Sequence, residues 1–128
     1  MYKLKENSII IREANQDDCK YIFDWRNNQL SREMFFNSQT ISYQDHLFWF
    51  SESLKNPNRV LYVCELSGEK AGVCRFDYDS KVNNSDVSIN VNPKMRDIGI
   101  GRIFLSFALD KYTDLRKSNL TARIKKNN

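Results

Sequence analysis

The fold of this chain is most constrained by residues 86–102, where a strand pattern runs through a turn with two glycines into a helix pattern. Residues 86–91 alternate polar and apolar side chains, which is typical of a strand with one buried face. After Gly99 and Gly101, apolar residues recur at helical spacing as Ile103, Phe104, Phe107, Ala108 and Tyr112. Glycine permits a tight turn, and free amides of a first helical turn attract anions, beside which Arg96 and Arg102 lie in sequence. The pattern predicts a pyrophosphate site rather than a site for a neutral ligand.

The same turn resembles the cofactor loop of a known enzyme superfamily. Residues 96–101, Arg-Asp-Ile-Gly-Ile-Gly, match the form Arg/Gln-x-x-Gly-x-Gly/Ala of the GNAT superfamily of acyl-CoA-dependent N-acyltransferases, and Val91-Asn92-Pro93 matches the strand exit before it. The resemblance implies acetyl-CoA as cofactor, with its pantetheine arm along the strand that ends near Val91. The cofactor-binding residues that it implies are Ile89, Val91, Arg96, Asp97, Ile98, Gly99, Ile100, Gly101 and Arg102. The alternative is a glycine-rich helix start without a ligand.

Length and composition predict one globular domain over residues 1–128. The chain is 41% hydrophobic and 12% aromatic, and no apolar run approaches the roughly 20 residues of a membrane span. The N-terminus lacks the apolar core of a secretory signal, so we expect a soluble, cytoplasmic protein without a membrane partner. Three cysteines and one histidine indicate neither a disulfide framework nor a metal site. Cys64 and Cys74 are expected to be buried and reduced, and could face each other across a hairpin.

The net charge of +4 raises the alternative of a nucleic-acid partner. The sequence contains no recognised nucleic-acid-binding module, and its aromatic residues fall in apolar periodic segments that core packing explains. We therefore expect no nucleic acid, and interpret the basic residues as a solvated face or as an attraction for phosphate-rich ligands.

The remaining patterns predict one strand, two helices and then a sheet. A strand covers residues 8–12, and a helix capped by Asn15 or Asp17 follows, with Tyr21, Ile22 and Trp25 on its apolar face. A second helix begins at the capping box of residues 42–45, buries Leu47, Phe50 and Leu54, and stops at residues 56–57. Residues 60–66 and 71–78 predict a hairpin, residues 79–85 a turn, and residues 120–124 a last strand parallel to the strand of residues 86–91.

This order predicts an α/β fold of GNAT type. Its sheet is mixed and mostly antiparallel, with a parallel strand pair at the cofactor site and helices on both faces. The chain departs from the family pattern after the fifth strand, because the last helix and the last strands of the family are missing. Such a chain would expose a strand edge, which a homodimer could cover.

A finer resemblance concerns the acceptor of the acetyl group. Residues 25–27 (Trp-Arg-Asn), the pair Arg32 and Met34, and residues 41–50 resemble nucleotide-sugar N-acetyltransferases of bacterial nonulosonic-acid pathways, the pseudaminic-acid type in particular. This implies a small-molecule substrate, a UDP-linked amino-dideoxy sugar. Trp-Arg-Asn also occurs in enzymes that acetylate protein N-termini, which is the alternative enzyme class. A third alternative is a catalytically incomplete acyl-CoA-binding module.

The candidate catalytic residues are Asp86, Ser88, Asn90 and His46. The first three alternate along one strand and so share a face, where they can meet an incoming amine. The family resemblance makes Asp86 the general base, and the alternative is a solvated acid. His46 resembles a substrate-side histidine of the nucleotide-sugar group, and the alternative is a buried, hydrogen-bonded histidine. The candidate substrate-binding residues are Arg32, Met34, His46, Asp77 and Tyr78. Tyr112 is expected to face the core and not to serve as the acid.

Overall fold

The computed structural model describes residues 8–28 and 41–122, and builds them around one five-stranded sheet. The strands are β1 (Ile9–Glu13), β2 (Arg59–Leu66), β3 (Glu69–Asp79), β4 (Asn84–Val91) and β5 (Asn119–Ala122). The helices are α1 (Cys19–Asn27), α2 (Tyr43–Lys55) and α3 (Ile100–Leu115). The strands lie in the order β1-β2-β3-β4-β5, antiparallel throughout except for the parallel pair β4 and β5. This topology confirms the predicted fold class.

Each face of the sheet has its own apolar core. Helix α3 covers one face, where Phe104, Ala108 and Tyr112 pack on apolar side chains of β2, β3 and β4. Helices α1 and α2 cover the opposite face, where Ile22, Trp25 and Phe50 pack with Leu61, Val63 and Val73. Because successive residues of a strand point to opposite faces, every side chain of β3 or β4 belongs to one of these two cores or to the polar surface beside it.

Both helices before the hairpin are preceded by polar residues that cap free amides. The Asn15 side chain accepts from the amide of Asp17 and forms a capping box with Asp18, which starts a 3-10 turn (Gln16–Asp18) that leads into α1. The Ser42 hydroxyl accepts from the amide of Asp45 at the start of α2. The predicted cap at Ser42 is therefore confirmed. Of the two candidates before α1, Asn15 caps the 3-10 turn, whereas Asp18, the N-cap of α1 itself, makes no side-chain cap hydrogen bond.

The structure corrects the predicted inward faces of α1 and α2. Leu47 and Leu54 are 41% and 36% exposed, and Tyr21 is 50% exposed. In α2 the buried residues are His46, Phe50 and Ser53, which follow the spacing i, i+4, i+7. Packing against α1 buries this stripe and leaves the adjacent stripe of Leu47 and Leu54 exposed, although the two leucines are more hydrophobic than His46 and Ser53.

The register of the hairpin decides between the two arrangements considered for Cys64 and Cys74. Cys64 lies opposite Gly72, and Cys74 lies opposite Tyr62, so the two cysteines do not face each other. The two-residue turn Ser67–Gly68 and a register shift beside Glu65 set this pairing. Cys64 and Cys74 are buried, as predicted, and Cys19 is buried as well.

Most strand ends differ from the sequence predictions by one or two residues. β4 begins at Asn84, before the predicted residue 86, and β5 begins at Asn119. β5 is parallel to β4, as predicted, and its pairs run from Asn84 with Asn119 to Val87 with Ala122. Residues 123–124 of the predicted last strand lie outside the described residues. Within residues 8–28 and 41–122, no helix is long and apolar enough to cross a membrane.

Candidate active site

The turn between β4 and α3 presents free backbone amides. Asn92 ends the strand, accepts from the Lys94 amide at 3.1 Å and donates its own side-chain amide to the Lys70 carbonyl at 3.0 Å. A 3-10 segment (Pro93–Ile98) follows, and Gly99 then turns the chain with φ +78°, in the left-handed region. Helix α3 starts directly afterwards without a side-chain cap. The first-turn amides of a 16-residue helix are therefore available to an anion.

Two glycines bring this helix start against the strands. A Cβ added to Gly101 would lie 3.3 Å from Cγ2 of Val91, which is tight packing at the exit of β4. A Cβ added to Gly72 on β3 would lie 2.9 Å from the Asn90 carbonyl oxygen and 3.1 Å from the Phe104 ring. A bulkier residue at either position would push α3 off the sheet. The free amides, the glycine turn and the close approach fit the pyrophosphate that the sequence predicts.

The arginines near this turn differ in environment. Arg96 is half-buried, and its Nη2 donates to Oδ1 of Asn90 at 3.1 Å. Burial lowers its pKa from the ordinary value. Arg102 is exposed on the first turn of α3, as is Asp97 on the turn before it, whereas Ile89 and Ile98 pack against the core. Arg96 thus links the predicted cofactor turn to the polar face of β4, and Arg102 faces solvent at the helix start.

The polar face of β4 lies beside charged residues of β3. Asp86, Ser88 and Asn90 share the face that α1 and α2 cover, and their register partners on β3 are Asp77, Arg75 and Val73. Asp86 is half-buried and accepts from the side-chain amide of Asn84 at 3.3 Å. Asp77 is already engaged, because it accepts from Arg59 at 2.5 Å and pairs with Arg75 at 3.0 Å. Asp86 is therefore better placed than Asp77 to accept a proton.

Tyr78 lies on the other face of the sheet. Its hydroxyl donates to Oδ1 of Asn83 at 3.0 Å, and the Arg116 guanidinium lies 4.0 Å from its ring centroid. Because adjacent strand residues point in opposite directions, Asp77 and Tyr78 do not share one cleft. The other two substrate-binding predictions, Arg32 and Met34, lie outside the described residues.

His46 is fully buried, and both of its ring nitrogens have partners. Nε2 lies 3.0 Å from the Cys19 carbonyl oxygen, to which it donates, and Nδ1 lies 3.3 Å from Nη1 of Arg26, from which it accepts. Burial lowers the pKa of His46, and the nearby Arg26 charge acts in the same direction. The neutral ring joins α1 to α2 and orients Arg26, so a role as proton acceptor would require one of these bonds to break.

The segment Trp25-Arg26-Asn27 has a structural role at each of its positions. Trp25 packs in the core beneath α1 and α2. Arg26 contacts His46, and the Asn27 side chain both accepts from the amide of Ile41 and donates to its carbonyl, each at 2.9 Å. The segment thus fixes the end of α1 relative to the start of α2.

A cluster of arginines around Trp49 was missed by the sequence analysis. The guanidinium carbons of Arg26, Arg59 and Arg75 lie 4.4, 5.5 and 5.9 Å from the Trp49 ring centroid. These residues come from α1, α2, β2 and β3, and they have no common motif in the sequence. The alternation of side chains along β2 and β3 would have been enough to predict that Arg59, Arg75 and Asp77 share one face of the sheet. It could not have predicted that Arg26 and Trp49 lie above that face.

Tyr112 is 1% exposed, which confirms its predicted core position. Its ring stacks on Phe76 at 3.9 Å, and its hydroxyl lies 2.7 Å from Oγ of Ser85. Ser85 in turn lies 2.8 Å from Oγ of Ser118. These buried hydroxyls connect α3 to β4 on the face opposite Asp86, so Tyr112 does not reach the candidate site.

Comparisons with known proteins assign the chain to a family. Residues 11–128 match the family model described as the acetyltransferase (GNAT) family. No curated protein matches the sequence. A proposed acetyltransferase from Salmonella typhimurium, solved with its cofactor acetyl-CoA, is 25% identical with a TM-score of 0.75, over 95% of this chain and 73% of that one. A proposed phosphinothricin N-acetyltransferase is 25% identical with a TM-score of 0.79, over 94% and 76% of the two chains.

The fold is also that of the spermidine N-acetyltransferase from Vibrio cholerae in complex with CoA and spermine. This protein is 15% identical with a TM-score of 0.77, over 86% of this chain and 66% of that one. The family indicates an acetyl-CoA-dependent N-acetyltransferase, which confirms the predicted enzyme class and the predicted cosubstrate. This chain belongs to the acetyltransferase (GNAT) family.

Proposed function

We propose that this chain transfers an acetyl group from acetyl-CoA to the primary amine of a UDP-linked amino-dideoxy sugar. The observation that carries the proposal is the free first-turn amides of α3 beside a strand face that bears Asp86. The arginines around Trp49 support an acceptor with negative charge over one that is purely cationic.

One set of residues binds acetyl-CoA, and a second set acts on the acceptor amine. The amides of residues 98–102 and the Arg102 side chain bind the pyrophosphate, and Val91 and Ile89 border the path of the pantetheine arm. When bound, acetyl-CoA supplies an activated thioester carbonyl. Asp86 accepts the proton that the ammonium must lose before its nitrogen can bond to the carbonyl carbon. Ser88 and Asn90 orient the amine, and an amide near Val91 donates to the carbonyl oxygen of the tetrahedral intermediate. As the carbon–sulfur bond breaks, CoA leaves as a thiolate, which takes the second proton of the attacking nitrogen, directly or through water, and is released as the free thiol.

The free thiol of CoA provides the test. We would incubate the chain with acetyl-CoA and a panel of acceptors, namely UDP-linked amino sugars, N-terminal peptides and spermidine, and follow thiol release with a disulfide reagent. Burial raises the pKa values of Cys64 and Cys74 to about 12 and also raises that of Cys19, so the chain's own thiols should add little signal.

Each result of this assay selects one function. Turnover with UDP-amino sugars at the highest kcat/KM supports the proposal. Preference for peptides would replace it with protein N-terminal acetylation, and preference for spermidine with polyamine acetylation. Binding of acetyl-CoA in calorimetry without turnover of any acceptor would identify an incomplete acyl-CoA-binding module.

A further inference from the structure

The cluster of Arg26, Trp49, Arg59 and Arg75 concentrates positive charge on one side of the sheet. All three guanidinium carbons lie within 6 Å of one indole ring centroid. Asp77 pairs with Arg59 and Arg75, whereas Arg26 forms no ion pair with any residue in the ranges 8–28 and 41–122. Burial, together with the charges of Arg75 and Arg59, lowers the pKa of Arg26 to about 10. Asp77 carries one negative charge against three guanidinium groups, so a further anion at the cluster is electrostatically favourable.

The surrounding contacts fix the orientation of this cluster. His46 accepts from Nη1 of Arg26, and Ser53 on α2 accepts from Nη1 of Arg59 at 3.0 Å. Trp49 provides an apolar surface on which the planar guanidinium groups stack. The arginines are thus positioned before a ligand arrives, which reduces the entropy cost of binding one.

The cluster is close to open space and to the proposed reaction centre. Trp49 and Arg59 line an open cavity of about 390 Å³ along α2, which Glu52 and Lys55 also border. On the sheet, Arg75 is the register partner of Ser88, and Asp77 is the partner of Asp86. Since adjacent strands are about 4.8 Å apart, an anionic group held by the arginines lies within one small molecule's length of Asp86.

We propose that Arg26, Arg59 and Arg75 around Trp49 form the subsite that binds a phosphate group of the acceptor and selects phosphorylated amines. The inference rests on the proposed function for the role of the acceptor, but the anion binding itself does not require acetyl transfer. A fork of guanidinium donors suits phosphate oxygens, and the aromatic ring suits the sugar or base next to them.

The test is a binding measurement with a matched pair of amines. Glucosamine 6-phosphate and glucosamine carry the same amine and differ in the phosphate. Calorimetric titrations with each, and with UDP, would be run with and without CoA. We expect glucosamine 6-phosphate and UDP to bind at least about tenfold more tightly than glucosamine, as charge-assisted hydrogen bonds imply. Equal affinities, or no saturable binding of either phosphate compound, would overturn the inference.

Three variants locate the effect. Arg75→Gln and Arg26→Gln should remove the preference for the phosphorylated probe and leave glucosamine binding nearly unchanged. Lys111→Gln removes one positive charge on the opposite face, next to Tyr62, and should keep the preference. If Arg26→Gln loses its fold by circular dichroism, the half-exposed Arg75 decides the outcome, and a preserved preference in Arg75→Gln overturns the inference. The proposed function fails separately, if no amine releases CoA thiol although phosphate binding persists.

Discussion

The two sides of the candidate site are built by different means. The donor side is a continuous segment, from Val91 at the end of β4 to the first turn of α3, and it offers mainly backbone amides and the space left by glycine. The acceptor side is assembled from α1, α2, β2, β3 and β4, and it offers charged and aromatic side chains. A backbone site depends on local conformation, whereas a side-chain site depends on the packing of distant elements.

This difference predicts how the two sides respond to substitution. Changes at the donor side should alter cofactor affinity through geometry, with little dependence on charge. Changes at the acceptor side should alter turnover or acceptor choice and leave cofactor affinity in place. Arg96 is the direct link between the sides, since its hydrogen bond to Asn90 joins the turn to the polar strand face.

The largest effect is expected from Asp86→Asn. The amide has the same shape but cannot accept the amine proton, so kcat should fall by about 10²- to 10⁴-fold, the usual range for loss of a general base. Acetyl-CoA affinity, measured by calorimetry, should stay within about twofold. Ser85→Ala on the same strand, which faces α3 and not the site, is the control for general damage to β4. An active Asp86→Asn enzyme would remove Asp86 from the mechanism.

Gly101→Val should have the next largest effect, on the donor side. The branched side chain would collide with Val91, since even a single added Cβ lies 3.3 Å from its Cγ2. Overpacking costs about 1–3 kcal/mol, so moving α3 away from the strand should weaken acetyl-CoA binding by roughly 10- to 100-fold. Unchanged affinity in calorimetry, with the fold intact, would contradict the placement of the pyrophosphate at this helix start.

The same contrast explains how much the sequence alone could predict. The glycine turn and the helix start of the donor side were predicted because their residues are consecutive and each glycine meets a local requirement, a left-handed φ at Gly99 and a close approach at Gly101. The order of strands and helices along the chain followed from periodicity and turn residues, and the mixed sheet with one parallel pair followed from the resemblance to the GNAT fold. Local sequence therefore predicted the order of the elements and the glycine turn that precedes α3.

The acceptor side could not be predicted in this way. Leu47 was expected inside and His46 at the substrate, but α2 turns His46 and Phe50 toward α1 and leaves Leu47 exposed, because tertiary packing chooses between adjacent helical stripes. The grouping of Arg26 and Arg75 around Trp49 depends on that same rotation. Sequence periodicity defines an amphipathic helix, but not which of two similar stripes meets the sheet.

A pair of alanine substitutions separates backbone strain from cofactor binding. Gly99 and Gly68 both have positive φ, +78° and +85°, and a Cβ at either meets no atom within 4 Å. Each Gly→Ala change should therefore destabilise the fold by a similar amount, about 1 kcal/mol, measured by urea unfolding. Gly99→Ala should also weaken acetyl-CoA binding several-fold, because the turn relaxes and moves the helix amides. Equal acetyl-CoA affinities in the two variants would mean that the backbone conformation at Gly99 does not contribute to cofactor binding.

The smallest expected effect concerns His46 and the pH dependence of stability. Its pKa is lowered in the folded chain, so the unfolded chain binds the proton more readily and acidification favours unfolding. The stabilising contribution of neutral His46 to the free energy of unfolding is fully present above pH 6.5, about the pKa of histidine in the unfolded chain, and is lost as the pH falls below that value.

Asp18 contributes to the pH dependence of stability over a separate, more acidic pH range. Burial opposes its ionisation, but hydrogen bonds from Arg12 and Lys70 outweigh this and lower its pKa to about 2, so its contribution is lost only as the pH falls from about 4 toward 2.

Because the chain contains one histidine, urea unfolding between pH 7 and 5 isolates this residue from the carboxylates. The free energy of unfolding should decrease across that range in the wild-type chain and decrease less in His46→Gln, which lacks the titrating ring. A nuclear magnetic resonance titration of the ring should give a pKa below the ordinary value. A pKa at or above 6.5 would mean that the ring is accessible and that its bond from Arg26 is not maintained, which would return His46 to the acceptor side as a candidate base.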